Sequence, residues 1–201
     1  MEFGTANGSR QIAAIPSQPK IYHIVHVDRL ASILADGGLL CDAVMVKRAG
    51  AGTTIGMSEI KSRRLKLPID CHTRLCVGDC VPFYFCPRSI MLYLLYQGNH
   101  PNLTYRGGQG PIVHLESDLY AAVRWADQQG PRWAFTLSNA GAYYFESRCD
   151  LSELGDINWA AVRAHKWSGP GVSSLIKEGK QAEFLIERTF PWHLVERVGV
   201  C

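Results

Sequence analysis

The feature that most constrains the fold is an irregular alternation of short strand-like and short helical patterns along the chain. Strand-like runs are rich in β-branched and aromatic residues, and they occupy residues 20–26, 81–86, 112–115, 133–137, 181–190 and 195–200. Apolar residues at helical spacing mark residues 29–35, 57–65, 90–96, 119–129 and 156–165. The regular succession of strand and long helix that builds a parallel sheet does not occur. The sequence therefore predicts an α+β fold.

Capping residues indicate where two of these helices begin and end. Asp28 precedes the run at 29–35, and Gly37 and Gly38 follow it. An acidic residue before a helix and glycine after it are typical start and stop signals. Asp156 stands at the beginning of the run at 156–165. We therefore expect Asp28 to cap the first helix and Asp156 to lie near the start of the later one.

The chain length of 201 residues fits a single domain. Residues 1–19 are polar, contain two prolines and lack the charged-then-apolar pattern of a signal peptide. We expect them to be a disordered or vector-derived leader before one domain over residues 20–201. The longest apolar run, at 90–96, is far shorter than the roughly 20 residues that cross a membrane. The sequence thus predicts no membrane segment.

Cysteine usage indicates a reducing compartment and no metal site. The chain has seven cysteines, an odd number, whereas disulfide frameworks usually have even counts in short secreted chains. We therefore expect a cytoplasmic protein. No Cys-x₂-Cys pair, the usual sign of zinc, occurs among the clustered residues Cys71, His72, Cys76, Cys80 and Cys86.

Two further patterns do not fit the ligand sites that they superficially suggest. The glycine-rich loop at 50–56 lacks the Gly-Lys-Ser/Thr ending of a phosphate-binding P-loop and the strand–loop–helix setting of a dinucleotide site. His23 and His26 are three residues apart on a predicted strand, so their side chains point to opposite faces. We expect neither a P-loop nor a shared histidine metal site.

The basic stretch between residues 47 and 74 is more informative. It holds seven Lys and Arg residues against two acidic ones, a local balance of +5 in a chain whose net charge is +3. Such a stretch is often only a solvated face. Beside a glycine-rich loop it also suits a polyanion, either the phosphates of a nucleotide or a nucleic-acid backbone.

Glu183 is the acidic residue with the least ordinary setting. It lies in the sequence Lys-Gln-Ala-Glu-Phe-Leu-Ile at 180–186, where apolar neighbours predict a strand in the core. A buried carboxylate is costly unless it is paired or functional. The alternative is a strand-end position that faces solvent, as Glu187 on the same strand can do.

The chain resembles the DarT family of DNA ADP-ribosyltransferase toxins from residue 22 to about residue 200. Each matching segment is weak alone, but their order and number are specific. The segments are YHIVH (22–26), IGMSEIKSRR (55–64), VPFYFCPRSIMLY (81–93), GGQGPIVHL (107–115), SNA (138–140), QAEFL (181–185) and PWHLV (191–195).

The resemblance implies an ADP-ribosyltransferase fold of the PARP-like kind, with mixed central β-sheets and short flanking helices. It implies transfer of ADP-ribose from the co-substrate NAD⁺, without a metal, to a base of single-stranded DNA. Thymine is the base best known in the family, and one branch modifies guanine. It further implies a bacterial toxin that blocks replication and whose partner is the macrodomain antitoxin DarG.

The resemblance also assigns roles to residues. Glu183 would be the catalytic glutamate, Arg64 or its neighbour Arg63 the catalytic and phosphate-contacting arginine, and His23 a contact to the nicotinamide-side ribose and amide. Glu183 and an arginine are both candidates to accept the proton of the attacking base. Other residues in or beside the matching segments are expected to contact NAD⁺ (Gly56, Ser58, Arg63 and Tyr93) or DNA (Lys61, Arg106 and Asn139). Tyr96 and Tyr105 flank the loop at 97–110 and are expected to contact DNA, because unpaired bases stack on aromatic rings.

Two other kinds of function remain open from the sequence. One is an ADP-ribosyltransferase that modifies protein or RNA, or an NAD⁺ glycohydrolase. The other is a nucleic-acid-binding module without activity, against which the presence of His23, Arg64 and Glu183 together argues.

Overall fold

The computed structural model describes residues 13–48, 50 and 52–200 of the chain. Residues 1–12 of the predicted leader lie outside the described residues, as do Ala49 and Ala51 of the glycine-rich loop and the terminal Cys201. Strands and short helices intermingle throughout the described chain, which confirms the predicted α+β class.

Seven strands of the described chain form one antiparallel sheet in the order β6-β5-β7-β3-β1-β4-β9. Two more, β2 and β8, pair separately. The strands are β1 (Lys20–His26), β2 (Gly38–Leu40), β3 (Cys80–Tyr84), β4 (Ile112–Asp118), β5 (Trp133–Thr136), β6 (Ser147–Arg148), β7 (Glu183–Glu187), β8 (Thr189–Pro191) and β9 (Val195–Val200).

Short helices lie between the strands. Within the described residues the α-helices are α1 (Leu30–Ala35), α2 (Asp42–Met45), α3 (Ser58–Arg64), α4 (Ile90–Gln97), α5 (Leu119–Gln129), α6 (Trp159–Arg163) and α7 (Ser174–Gly179). Single 3₁₀ segments cover Val27–Arg29, Val77–Asp79, Leu151–Asp156 and Trp192–Leu194. No helix among these is long and apolar enough to cross a membrane.

Helix α5 illustrates how the sequence builds the core. The Asp118 carboxylate accepts a hydrogen bond from the backbone N–H of Ala121, and Gly130 ends the helix in the left-handed conformation that glycine tolerates best. The helix buries a stripe at helical spacing, which packs with the buried residues of β1, β3 and β4. Each fully buried Leu or Val side chain in such a stripe contributes about 1.5–3 kcal/mol. The prediction of a helix over 119–129 is confirmed to the residue.

The predicted strand at 181–190 is in fact two strands. Arg188 separates β7 from β8 and adopts a left-handed φ of +64°. Its N–H donates to the Asp79 carbonyl at 2.8 Å, and its carbonyl accepts from Cys41 at 2.9 Å. These bonds hold the bend, so the chain leaves the main sheet and pairs with β2. The alternating pattern over 181–190 predicts one continuous strand, because it carries no sign of the bend at Arg188.

The start of one predicted helix and the cap of another differ from the prediction. The run at 156–165 forms only α6, which begins three residues after Asp156 and is capped by Asn158, whose side chain accepts from Ala161 N–H at 3.0 Å. Asp28 does not cap α1; its carboxylate accepts instead from the backbone N–H and the hydroxyl of Thr53, the latter at 2.7 Å. Thr53, which is 25 residues away in the chain, is therefore the partner of Asp28 in place of the start of α1.

Candidate active site

The sheet is partly open between β1 and β3. Within the described residues these strands pair at Tyr22 and Tyr84 alone, whereas β1 pairs with β4 over its whole length. The Pro82 carbonyl accepts a 2.7 Å hydrogen bond from Nδ1 of the His23 side chain in place of a backbone N–H. The nitrogen and carbonyl of one strand residue face the same neighbouring strand, and proline has no N–H to offer there. Pro82 and His23 together therefore keep the two strands apart.

A cavity of about 160 Å³ lies at this opening, and we call it the central cavity. Its walls come from β1, β3, the start of β7, α2, α3 and the loop before α3. The lining includes His23, Arg29, Asp42, Thr54, Gly56, Lys61, Arg64, Tyr84 and Glu183. Five residues that the sequence predicts to be functional, namely His23, Gly56, Lys61, Arg64 and Glu183, thus come together.

Glu183 and Arg64 form a buried, two-pronged ion pair at the cavity wall. Nη1 and Nη2 of Arg64 donate to Oε1 and Oε2 of Glu183 at 3.1 and 2.9 Å. The backbone N–H of Ala140 donates to Oε1 at 3.0 Å. A carboxylate has about four lone-pair sites, so these three bonds leave a site for a ligand hydroxyl.

Because the pair is buried, each of its charges depends on the other for stabilisation. Glu183 is 2% and Arg64 8% exposed. Burial opposes the charge on Arg64, but the attraction and hydrogen bonds of Glu183 outweigh it and raise the pKa of Arg64 above its ordinary value. Removal of one partner of such a buried pair leaves an uncompensated charge, at a cost of about 3–5 kcal/mol. Both groups are therefore held in fixed positions.

His23 is held as a neutral ring beside this pair. Burial lowers the pKa of His23 to about 4, although the bond to the Pro82 carbonyl acts in the opposite direction. A carbonyl can only accept, so Nδ1 carries the hydrogen. In the neutral ring Nε2 then keeps a lone pair, which can accept a hydrogen bond from a hydroxyl or amide of a bound ligand.

Tyr84 lies in the predicted strand at 81–86, and the sequence assigns it no site role. It pairs with Glu183 across β3 and β7 and lines the same cavity. Burial, and then the nearby Glu183 carboxylate, raise the pKa of Tyr84 above its usual range. The hydroxyl thus stays protonated and can donate. Its apolar neighbours in the sequence hide this polar role.

The glycine-rich loop forms one side of the cavity because the turn after β1 holds it. Asp28 binds Thr53 as described, and Arg29 Nε donates to the Thr53 carbonyl at 2.9 Å. Gly56 lies close to the side chain of Lys61, where an added Cβ would come within 2.8 Å of Lys61 Cε. Because glycine has no Cβ, the aliphatic part of the Lys61 side chain can pack directly against the loop at Gly56.

Lys61 and Arg64 lie three residues apart and so share one face of α3. Lys61 Nζ donates to Asp42 Oδ1 at 2.8 Å. Nothing in the sequence around Asp42 predicts this contact, because the two residues are brought together only by the fold. The ion pair holds the lysine at the rim, where its ammonium can approach a phosphate.

Arg63, the next residue along, faces a different surface. Its guanidinium lies 4.9 Å from the ring centroid of Tyr143, which is 72% exposed, and Tyr144 beside it is 94% exposed. Arg63, Asn139 and Tyr144 line a shallow cavity outside the central one. We call the residues Arg63, Asn139, Tyr143 and Tyr144 the tyrosine surface. The sequence interpretation did not single out either tyrosine.

Asn139 connects the tyrosine surface to the buried pair. Its Nδ2 donates to Gln181 at 2.9 Å, and its Oδ1 accepts from Gly141 N–H at 2.6 Å. The turn formed in this way places the Ala140 N–H against Glu183. Asn139 is therefore both a predicted DNA contact and part of the support for Glu183.

Other predicted site residues are not part of the lining of the central cavity. Tyr93 and Tyr96 line a separate cavity with Trp167. Tyr105 packs edge-on against His26, a cavity residue, and Arg106 donates to the Gly98 carbonyl. Ser58 lines the outer continuation of the central cavity, with Arg29, Asp42 and Lys61.

Comparison with known proteins identifies similar chains. A family model described as "ssDNA thymidine ADP-ribosyltransferase, DarT" matches residues 22–201. A relative from Thermus sp. (strain 2.9), named DNA ADP-ribosyl transferase, is 36% identical over 185 residues, 92% of this chain and 82% of the relative.

Solved structures of Thermus sp. 2.9 DarT are also similar. The complex with ADP-ribosylated ssDNA has a TM-score of 0.80 at 34% identity, covering 94% of this chain and 84% of that one. The complex with NAD⁺ has a TM-score of 0.75 at 35% identity, covering 93% and 84%.

Proposed function

The chain belongs to the DarT family, and from that premise we propose that it transfers ADP-ribose from NAD⁺ to thymine in single-stranded DNA. Its similarity to the Thermus structures confirms the predicted ADP-ribosyltransferase fold. The central cavity is the proposed NAD⁺ site, and the tyrosine surface is the proposed DNA site.

The observation that carries this proposal is the buried Arg64–Glu183 pair beside the neutral His23 ring. Cleavage of the nicotinamide–ribose bond develops positive charge on the ribose. A fixed carboxylate such as Glu183, with a lone-pair site left for a ribose hydroxyl, stabilises that charge, and preorganised electrostatics of this kind is usually the largest catalytic contribution. His23 Nε2 would orient the nicotinamide side of the co-substrate.

Cations at the rim suit the diphosphate of NAD⁺. Lys61 and Arg29 line the cavity next to the loop around Gly56, and backbone close to a glycine can approach a phosphate without a side chain in the way. Arg64 is fully engaged by Glu183, so its proposed role is to position the carboxylate and to add positive charge beside the phosphates.

The tyrosine surface fits unpaired bases. Aromatic rings stack with bases of any sequence, and a stacked base contributes about 1–3 kcal/mol. A thymine that reacts at a ring nitrogen must be out of the duplex stack. Arg63 adds charge for the DNA backbone and Asn139 an amide that can hydrogen-bond a base edge.

The biological setting follows from the same family membership. The proposed activity marks DNA and so makes the protein a toxin of the bacterial cytoplasm. DarG, whose macrodomain removes such a mark in this family, is the proposed protein partner. Guanine as the acceptor base is the alternative within the same mechanism.

The test uses NAD⁺ labelled in its adenylate part and single-stranded oligonucleotides that each contain one kind of base in a fixed spacer. We expect label on the thymine strand, none on a duplex control, and a loss of about 10²–10⁴-fold with Glu183→Gln. Glu187→Gln is the matched control, because Glu187 lies on the same strand but pairs with Arg132 away from the cavity.

Each other outcome selects a different function. Label on guanine would keep the mechanism and change the base. Nicotinamide release without label on any strand would support a glycohydrolase or another acceptor. If neither label nor nicotinamide appeared with the unaltered protein, a binding module without activity would be the better interpretation.

A further inference from the structure

Three potential metal ligands meet at the end of the β5–β6 hairpin that lies away from the central cavity. The sulfur atoms of Cys71 and Cys149 and a ring nitrogen of His72 all lie within 4.8 Å of one another. Cys149 is 78 residues from Cys71 in the chain, so the fold alone creates the cluster. This contrasts with the sequence-based expectation, which considered only the cysteines between 71 and 86.

The His72 ring is oriented as a metal ligand usually is. Its Nε2 lies 2.7 Å from the Trp133 carbonyl. A carbonyl only accepts, so Nε2 carries the hydrogen and Nδ1 keeps the lone pair. Histidines that bind metals commonly donate their other N–H to a backbone carbonyl in this way, which fixes the tautomer and the ring.

Buried side chains and hydrogen bonds hold the polypeptide around the cluster in place. Ile69 and Leu75, on either side of the cysteine and histidine, are each 1% exposed, and Ile69 N–H donates to the Leu75 carbonyl at 2.9 Å. Arg132 Nη1 donates to the Thr73 carbonyl at 2.8 Å and ties this turn to β7 through Glu187. The ligands would therefore need little reorganisation to close around an ion.

A further polar atom beside the thiols has no partner of its own. Ser147 Oγ is buried without a hydrogen-bond partner in the described part of the chain, and it lies within reach of the Cys71 thiol. A hydroxyl in this position can donate to a thiolate bound to a metal. Such outer-shell donors are a regular part of metal sites.

We propose that Cys71, His72 and Cys149 bind one zinc ion, with water in the fourth position. Two thiolates and one imidazole suit zinc among the common divalent ions. The ion would join the 69–75 turn to β6 and, through the His72–Trp133 bond, to the start of β5. Its effect would be to stabilise the hairpin whose other end supports Glu183, independently of NAD⁺ or DNA binding.

The test adds Zn²⁺ to the full-length reduced protein in competition with a chromophoric chelator, and adds Co²⁺ in a parallel titration. We expect one zinc per chain, a sulfur-to-cobalt charge-transfer band with tetrahedral d–d bands, and a rise in melting temperature with zinc. Cys149→Ser should weaken zinc binding at least tenfold and abolish the rise. Cys76→Ser is the matched control, because Cys76 is also half-buried near this turn but lies outside the cluster.

His72→Gln provides a second variant should Cys149→Ser fold poorly. Its side-chain amide can still donate to the Trp133 carbonyl, but it lacks the imidazole lone pair, so zinc binding should fall while the fold is kept. Absence of zinc binding, or equal binding by these variants and the unaltered protein, would overturn the proposal. A Cys71–Cys149 disulfide in protein purified under reducing conditions would also overturn it.

Discussion

Two neighbouring arginines of α3 lead into two very different regions of the molecule. Arg64 enters the central cavity, where it is 8% exposed and fully paired with Glu183. Arg63 lies over Tyr143 on the tyrosine surface, whose aromatic rings are mostly open to solvent. Successive residues of a helix are about 100° apart, so one turn of helix serves both regions.

The difference between the regions matches the two kinds of ligand that we propose for them. In the central cavity Arg64, Glu183, His23 and Lys61 are each held by a partner, which suits a reaction that depends on exact positions. On the tyrosine surface the rings are free to meet flat bases in more than one arrangement. The family resemblance left Arg63 and Arg64 as alternatives for one role, and the structure gives each its own surroundings.

Arg64→Gln tests the difference between the two regions with the largest expected effect. It leaves the Glu183 carboxylate buried without its cation, so we expect transfer to fall about 10²-fold or more and the free energy of unfolding to fall by about 3–5 kcal/mol. The measurements are single-turnover transfer and urea denaturation. Arg63→Gln is the control on the same helix; equal loss of DNA-independent nicotinamide release in the two variants would contradict the contrast.

Tyr144→Ala tests the other region. A tyrosine that is 94% exposed contributes little to stability, but loss of base stacking should raise the KM for the oligonucleotide about fivefold or more. The KM for NAD⁺ and the melting temperature should stay unchanged. A rise in the KM for NAD⁺ instead would place the co-substrate, rather than DNA, on the tyrosine surface.

The neutral state of His23 predicts a pH dependence of stability. The pKa of His23 is about 4 in the folded protein, below the ordinary value of about 6.5. As the pH falls from 6.5 to 4, the unfolded chain gains a proton that the folded chain does not, so folding is weakened by up to about 3 kcal/mol.

Denaturation curves at several pH values measure this slope. His23→Gln should flatten it across the same window, whereas His114→Gln should remove only a smaller part, because burial lowers the pKa of that residue as well. An unchanged slope in His23→Gln would show that the ring is not held neutral.

Tyr93→Ala should have the smallest effect. Tyr93 was assigned to NAD⁺ from the resemblance, but it packs edge-on with Trp167 at a ring separation of 5.1 Å in a cavity apart from the central one. We expect the KM for NAD⁺ to change by no more than about twofold, since no contact to the bound co-substrate is lost. A tenfold rise in the KM for NAD⁺ would indicate that the co-substrate binds beside α4.

Sequence patterns predict a strand or helix well when the residues within that segment determine its bounds. Strand β1 and helix α5 have the predicted bounds, because β-branched and aromatic residues mark the strand and apolar residues at helical spacing mark the helix. The split between β7 and β8 escaped prediction, since it depends on the left-handed Arg188 and its bonds to distant backbone. Asp28 likewise bonds to Thr53 rather than to its own helix.

The sequence predicts a site residue when its type is unusual among its neighbours in the chain. Glu183 stands out as a carboxylate in an apolar strand, and its burial and partner confirm that this setting needs compensation. Tyr84 and Asp42 look ordinary in the sequence, and only the pairing of strands and helices brings them to the cavity. Cys149 and Cys71 meet for the same reason.

The proline in β3 has a consequence for how ligands reach the protein. At Pro82, β3 has no N–H that would lose an acceptor when the two strands stay apart, so the opening costs no hydrogen-bond donor at this residue. A ligand that enters beside Pro82 breaks no hydrogen bond from this residue to β1, and its affinity is not reduced by the cost of populating a form in which such a bond is open. A competitive inhibitor can be shaped to the gap beside Pro82 and His23.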